Sequence, residues 1–185
     1  MSKTTRRTTH RLSIDAPGEL IFRILRDSSH WPYLDGLTAY SERVSGDDSS
    51  HELRTSVVSN GSLNSTHCHR VLNDAELRAD FRQLGLEAPL VHLGGGWVIR
   101  PSEGFSEVTL DHEFEVDDDA GELLELIHHN IDEYSRRELE ALRLSCERLA
   151  LLLEQHLGST AAPAVASAPV PSAASATAPI VAWEA

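Results

Sequence analysis

The sequence has little of what many functional classes require. Its two cysteines, Cys68 and Cys146, are too few and too isolated for a disulfide framework or a four-ligand zinc site, so a reducing cytoplasm is the expected compartment. Lys and Arg number 16 against 29 Asp and Glu, and the formal net charge of -13 argues against a nucleic-acid backbone or an anionic membrane as the main partner. No apolar run approaches the length of a membrane span, and the basic opening MSKTTRRTTHRLSID lacks the apolar core of a signal peptide. From about Gly158 the chain is dominated by Ala, Pro, Ser and Thr, a composition that cannot bury a core. The expected organisation is one folded domain over residues 8–156, followed by a disordered tail over residues 157–185.

What is present is a change of period along the chain. His10, Leu12 and Ile14 alternate with polar neighbours as a first strand. Asp15 and Pro17 then open a short helix, with Asp15 placed to cap it and Leu20, Ile21 and Ile24 as its buried side. A second short helical turn, Ser28 to Leu34, carries Trp31 and Tyr33. From about Leu37 to Val116 period-two runs separated by turn residues predict a meandering antiparallel sheet, with Asn60-Gly61 as a hairpin turn. The last pattern, Ala120 to His156, is helical, with Ile127, Ile131, Tyr134, Glu138, Leu142, Ser145, Leu149 and Leu152 on one stripe. The order predicts an α+β architecture: about seven strands curved around one long C-terminal helix, with a cavity wherever inward side chains do not fill the space.

Three ionisable residues fall at positions whose neighbours predict burial. Glu138 lies on the helix stripe. His112 is the one polar member of an inward face shared with Val108, Leu110, Phe114 and Val116, and Arg70 shares an inward face with Thr66, Cys68 and Leu72. A histidine and a carboxyl aimed into one interior form either a structural pair or an acid-base pair. A guanidinium there stays charged and polarises a carbonyl or enolate oxygen. The aromatics Trp31, Tyr33, Phe81 and Trp97 read either as core or as the lining of a pocket for a flat ligand. Thr66, Cys68, Gln83, Phe114 and Tyr134, on the same inward faces, complete the candidate lining.

Other groups read as structural. His67 and His69 share one outward strand face with no third ligand evident, and the adjacent His128 and His129 point in different directions on a helix, so no metal site is assigned. Gly94-Gly95-Gly96 lacks the Lys-Ser/Thr of a phosphate loop and lies within a strand, which marks a bulge or a close backbone approach.

The chain resembles the polyketide aromatase/cyclases of bacterial aromatic polyketide pathways, helix-grip proteins of the START and birch-allergen-like superfamily, and looks most like one half of the two-domain members. The passages that carry the resemblance include Ile14-Asp15-Ala16-Pro17, Trp31-Pro32, His69-Arg70-Val71-Leu72, Phe81-Arg82-Gln83, Ala88-Pro89, Gly95-Gly96-Trp97-Val98-Ile99, Leu110-Asp111-His112-Glu113-Phe114 and Tyr134-Ser135-Arg136-Arg137-Glu138-Leu139. The resemblance implies a helix-grip fold and places the family's pocket arginine at Arg70, its strand histidine at His112 and its helix acid, often Asp, at Glu138. It also implies a cofactor-independent cyclase/dehydratase. Such an enzyme works beside a minimal polyketide synthase, promoting first-ring aldol closure and dehydration of a poly-β-ketone held on an acyl carrier protein. In that reading His112 is base and then acid, Glu138 orients or relays to it, and Arg70 holds a ketone or enolate oxygen. The alternative is a non-catalytic carrier or sensor that binds a hydrophobic small molecule in the same cavity.

Overall fold

A computed structural model describes residues 3–59, 61–117, 121 and 123–159. The order is β1 (Lys3–Ile14), α1 (Gly18–Arg26), a 3-10 turn (Ser28–His30), α2 (Trp31–Leu34), β2 (Thr38–Gly46), β3 (Ser50–Ser59), β4 (Ser62–Asn73), β5 (Arg78–Gln83), β6 (Leu90–Pro101), β7 (Ser106–Asp117) and α3 (Leu123–Ser159). The seven strands form one sheet in the order β1-β7-β6-β5-β4-β3-β2, antiparallel at every pairing. Apart from β1, which pairs with β7, each strand lies beside its sequence neighbour, as short turns dictate. The helix-grip expectation holds: the sheet carries α3 against its inner face, and α1 closes one end of the core.

The pleat sorts side chains as the alternation predicts. On β7, Val108, Leu110, His112, Phe114 and Val116 are all buried. On β4, Cys68, Arg70 and Leu72 are buried, while His67 and His69 turn outward to Glu52 (2.9 Å) and the Ser50 hydroxyl (3.1 Å). Ile14, Ile21, Val108 and Leu110 have no exposed surface. Each contributes on the order of 1.5–3 kcal/mol relative to remaining in water. Among the described residues no helix is long and apolar enough to cross a membrane.

Several boundaries differ from the sequence reading. Pro17, not Asp15, is the N-cap of α1, with extended dihedrals and no side-chain cap. The Ala16 N–H turns back to the Ile14 carbonyl (2.8 Å), which leaves Asp15 too far upstream to reach the helix. Val91, which alternates in phase with Leu93, Trp97 and Ile99 in the sequence, faces solvent, because the register between β6 and β7 shifts between Leu90 and His92 and reverses the alternation there. The most buried line of α3 runs through Ser135, Leu139, Leu142, Cys146 and Ala150, so Tyr134 and Glu138 lie on its flank, and Leu152 is 43% exposed. Gly61 has the positive φ (75°) that its turn requires, whereas Asn60 lies outside the described residues. So does Ala120, the expected start of the last helix. Helix α3 runs through Ser159, past the expected boundary at residue 156; the remainder of the proposed tail, from Thr160, is outside the described residues.

The triple glycine is a close approach rather than a bulge. A Cβ on Gly95 would lie 1.9 Å from the Asp111 carbonyl oxygen and 2.9 Å from the Phe81 ring. Backbone cannot yield to such a contact without breaking β6–β7 pairing. Gly95→Ala is therefore expected to destabilise the fold by about 3 kcal/mol or more, at the upper end of overpacking effects. Urea denaturation measures it, and an unchanged midpoint would contradict the close approach.

Candidate active site

Arg70 from β4, His112 from β7 and Glu138 from α3 line one inner chamber of about 90 Å³. Trp31, Thr66, Cys68, Phe81, Gln83, Trp97 and Tyr134 line it with them, and so do Leu53 and Thr55 from β3. The chamber meets an outer vestibule of about 490 Å³ across a shared wall that includes Phe81, His112 and Tyr134, and the vestibule walls continue through Asn64, Asn130 and Arg137. That size suits a small-molecule ligand. A back recess of about 40 Å³ shares Trp31, Trp97, Tyr134 and Glu138 with the chamber. Tyr134 thus borders all three spaces.

Two aromatic expectations fail. Tyr33 is 85% exposed, because α2 is a single turn that spends its inward position on Trp31. Phe114 is fully buried, but it packs with Val116, Leu90, Leu93 and the start of α3 (Leu124, Ile127, Ile131) and lines neither the chamber nor the vestibule.

Arg70 is anchored on two sides and unpaired on the third. One terminal nitrogen, Nη2, donates to the Leu25 carbonyl (2.7 Å), and the guanidinium lies over the Trp31 ring at 5.1 Å. The other, Nη1, is buried without a protein acceptor. Burial pulls its pKa down to about 10, partly offset by Cys68 and Glu138, so the group remains a cation at neutral pH. The orphaned N–H of a buried guanidinium is a strong donor awaiting a ligand oxygen.

Glu138 has the reverse problem. Desolvation, then the nearby Asp35, push its pKa up to about 7, while Arg70 pulls it back. Asp35 is held by the Leu37 and Thr38 backbone N–H groups (2.8 Å each) and by the Thr38 hydroxyl (2.5 Å). The surface Glu138 retains faces the chamber and the recess. Burial also raises Tyr134 above the usual phenol range and the Cys68 thiol to about 11, leaving both neutral.

His112 is neutral. Burial, with a smaller contribution from His10, lowers its pKa to about 4, and Asp111 only partly opposes the shift. The Phe81 ring meets it edge-on at 5.2 Å. Its hydrogen-bond partner is Ser135, whose hydroxyl lies 3.2 Å from Nδ1, and not Glu138, which was expected to orient it or relay to it. Glu138 is coupled instead to Arg70 and Asp35. Ser135 went unassigned because the stripe was drawn through Tyr134; a serine in phase with Leu139, Leu142 and Cys146 was the available signal.

Fold and site together define a helix-grip domain that encloses an ionisable, aromatic-walled cavity. Residues 5–147 match the family described as polyketide cyclase/dehydrase and lipid transport, and the chain belongs to that family. It is 29% identical over 147 residues to the granaticin polyketide synthase bifunctional cyclase/dehydratase of Streptomyces violaceoruber, an alignment covering 79% of this chain and 45% of that one. The chain thus spans about half the length of this relative. Among solved structures, the Zhui aromatase/cyclase from Streptomyces sp. R1128 superposes with a TM-score of 0.71 at 22% identity, over 78% of this chain and 95% of that one, which shows the shared fold. The di-domain aromatase/cyclase BexL superposes with a TM-score of 0.69 at 28% identity, over 77% of this chain and 46% of that one.

Proposed function

We propose that the protein is an aromatase/cyclase of aromatic polyketide biosynthesis, closing the first ring of a poly-β-ketone by intramolecular aldol condensation and then expelling water. The observation that carries this reading is the convergence on one chamber of a neutral imidazole, a lasting cation and a carboxyl with a pKa near neutrality. His112 removes a proton from a methylene between two ketones, and the resulting enolate carbon attacks a ketone carbon of the same chain. The new alkoxide forms beside Arg70 Nη1 and takes the proton back from His112. For dehydration a second carbon-bound proton leaves to His112, and the hydroxyl departs as water with a proton from Glu138; exchange with solvent after product release then returns the proton from His112 to Glu138. Ring closure is an isomerisation and the second step loses one water, so the sequence is redox-neutral. The aromatic walls hold the chain folded and away from bulk water.

The substrate in this reading is presented by an acyl carrier protein in the cytoplasm, beside a minimal polyketide synthase. Reconstituting that synthase with and without the protein tests it. The expected result is a shift from spontaneously cyclised products to a single aromatised first ring. An unchanged product profile with retained ligand binding would favour a carrier.

The two shifted groups set a pH window. Activity requires His112 neutral and Glu138 protonated, so kcat is expected to fall below about pH 4 and above about pH 7. In Glu138→Gln the upper limb should vanish from whatever activity remains. Stability responds in opposite senses. The raised Glu138 contributes fully below its ordinary 4.5 and loses that contribution as pH rises through 7. The lowered His112 contributes above its ordinary 6.5 and loses that contribution as pH falls through 4. Thermal melts of the wild type and Glu138→Gln across this range measure the first of these slopes.

A further inference from the structure

The Ser135 hydroxyl sits between two polar atoms, and it has one hydrogen to give. Its oxygen is 2.6 Å from the Ile131 carbonyl and 3.2 Å from His112 Nδ1. A carbonyl oxygen carries no proton, and two oxygens at 2.6 Å repel unless a hydrogen lies between them, so the hydroxyl donates to Ile131. Toward His112 it then has only lone pairs to offer. Ser135 has no exposed surface, which keeps water from supplying another partner there.

We infer that Ser135 is a positioning residue that fixes the tautomer of His112, holding the proton on Nδ1 and leaving the Nε2 lone pair as the site that takes and returns protons. Free imidazole exchanges between two tautomers, and only one of them places a base at Nε2. The same Nδ1–H···Oγ bond persists when Nε2 is protonated, so the ring need not rotate between the proton-removing and proton-returning steps. Helix geometry supplies the device. A serine hydroxyl bonded to the carbonyl four residues back is a common back-bond, and here it spends the hydrogen that would otherwise reach the imidazole. The other polar neighbours on this side do not compete. His10, on β1, gives Nε2 to Asp132 at 2.6 Å, and Thr8, paired across the strands with His112, makes no hydrogen bond through its hydroxyl.

The tautomer stands independently of what the protein catalyses, whereas its consequence for rate rests on His112 being the proton-transfer group. Long-range ¹H–¹⁵N correlation spectra of the full chain at pH 7, with His112 assigned by its absence in His112→Gln, distinguish protonated from unprotonated ring nitrogens. Wild type is expected to show a protonated Nδ1 and an unprotonated Nε2; the reverse overturns the inference, even if no Ser135 variant folds. Ser135→Ala is expected to move the population toward the Nε2–H form by about tenfold, the size of one hydrogen bond's net contribution. In the reconstituted synthase its kcat should fall with the lost Nδ1–H fraction, by about twofold to fivefold, at unchanged KM, and Ser135→Thr, which keeps the hydroxyl, should restore both. Ser135→Ala retaining the wild-type tautomer also overturns the inference. A shifted tautomer with unchanged kcat supports the tautomer assignment and removes His112 from the proposed proton transfer.

Discussion

His112→Ala is expected to lower formation of the aromatised product by about 10²–10⁴-fold, the usual contribution of a general acid-base group, while affinity for an aromatic product analogue changes little. The separation follows from position. His112 lies in the wall between chamber and vestibule, and removing it takes away a neutral ring edge while Phe81, Trp97 and Tyr134 still line the cavity. Ligand binding is measurable through quenching of the tryptophans, because Trp31 and Trp97 both line the inner chamber. Product distribution in the reconstituted synthase reads the chemistry. A variant that binds normally and makes wild-type product ratios would falsify the catalytic role of His112 and leave a binding protein. A drop in both readouts, with lost cooperativity in thermal unfolding, would instead mark a packing role for the ring beside Phe81.

Arg70→Met should impair both binding and chemistry. The guanidinium is the cavity's ligand-facing donor through Nη1, and it also binds the end of α1 through the Leu25 carbonyl. Losing a preorganised donor to a developing oxyanion typically costs about 10²–10³-fold in kcat. Because the same group meets the ketone in the ground state, KM should rise as well. Arg70→Lys should recover little, since a compact ammonium cannot reach Leu25, stack on Trp31 and present a free N–H at once. The electrostatic signature is specific: Arg70 pulls the pKa of Glu138 down, so without it Glu138 should titrate above about 7 and the upper limb of the pH profile should move to higher pH. A limb that stays in place would show that Glu138 and Arg70 are uncoupled, or that the limb belongs to another group.

The pattern of the sequence determined which residues face inward. A strand has a period of two and each ladder is continuous, so His112 among Val108, Leu110, Phe114 and Val116, and Arg70 between Cys68 and Leu72, had one possible side once those faces met the core. The element order, seven strands and a closing helix, was legible for the same reason: short turns leave sequential strands nowhere to pair but beside each other. What periodicity carries is phase along one element, and it does not say where another element crosses. Phe114 and His112 share a face two residues apart, yet one is packed under the start of α3 and the other borders a cavity. Tyr33 had no inward position left on a four-residue helix that turns Trp31 into the chamber. A shift of about one residue in the helix face likewise hid Ser135 and assigned its partner to Glu138. Only the packed structure, by setting the roll of α3 against β7, put the hydroxyl on the imidazole and the carboxyl beside the guanidinium.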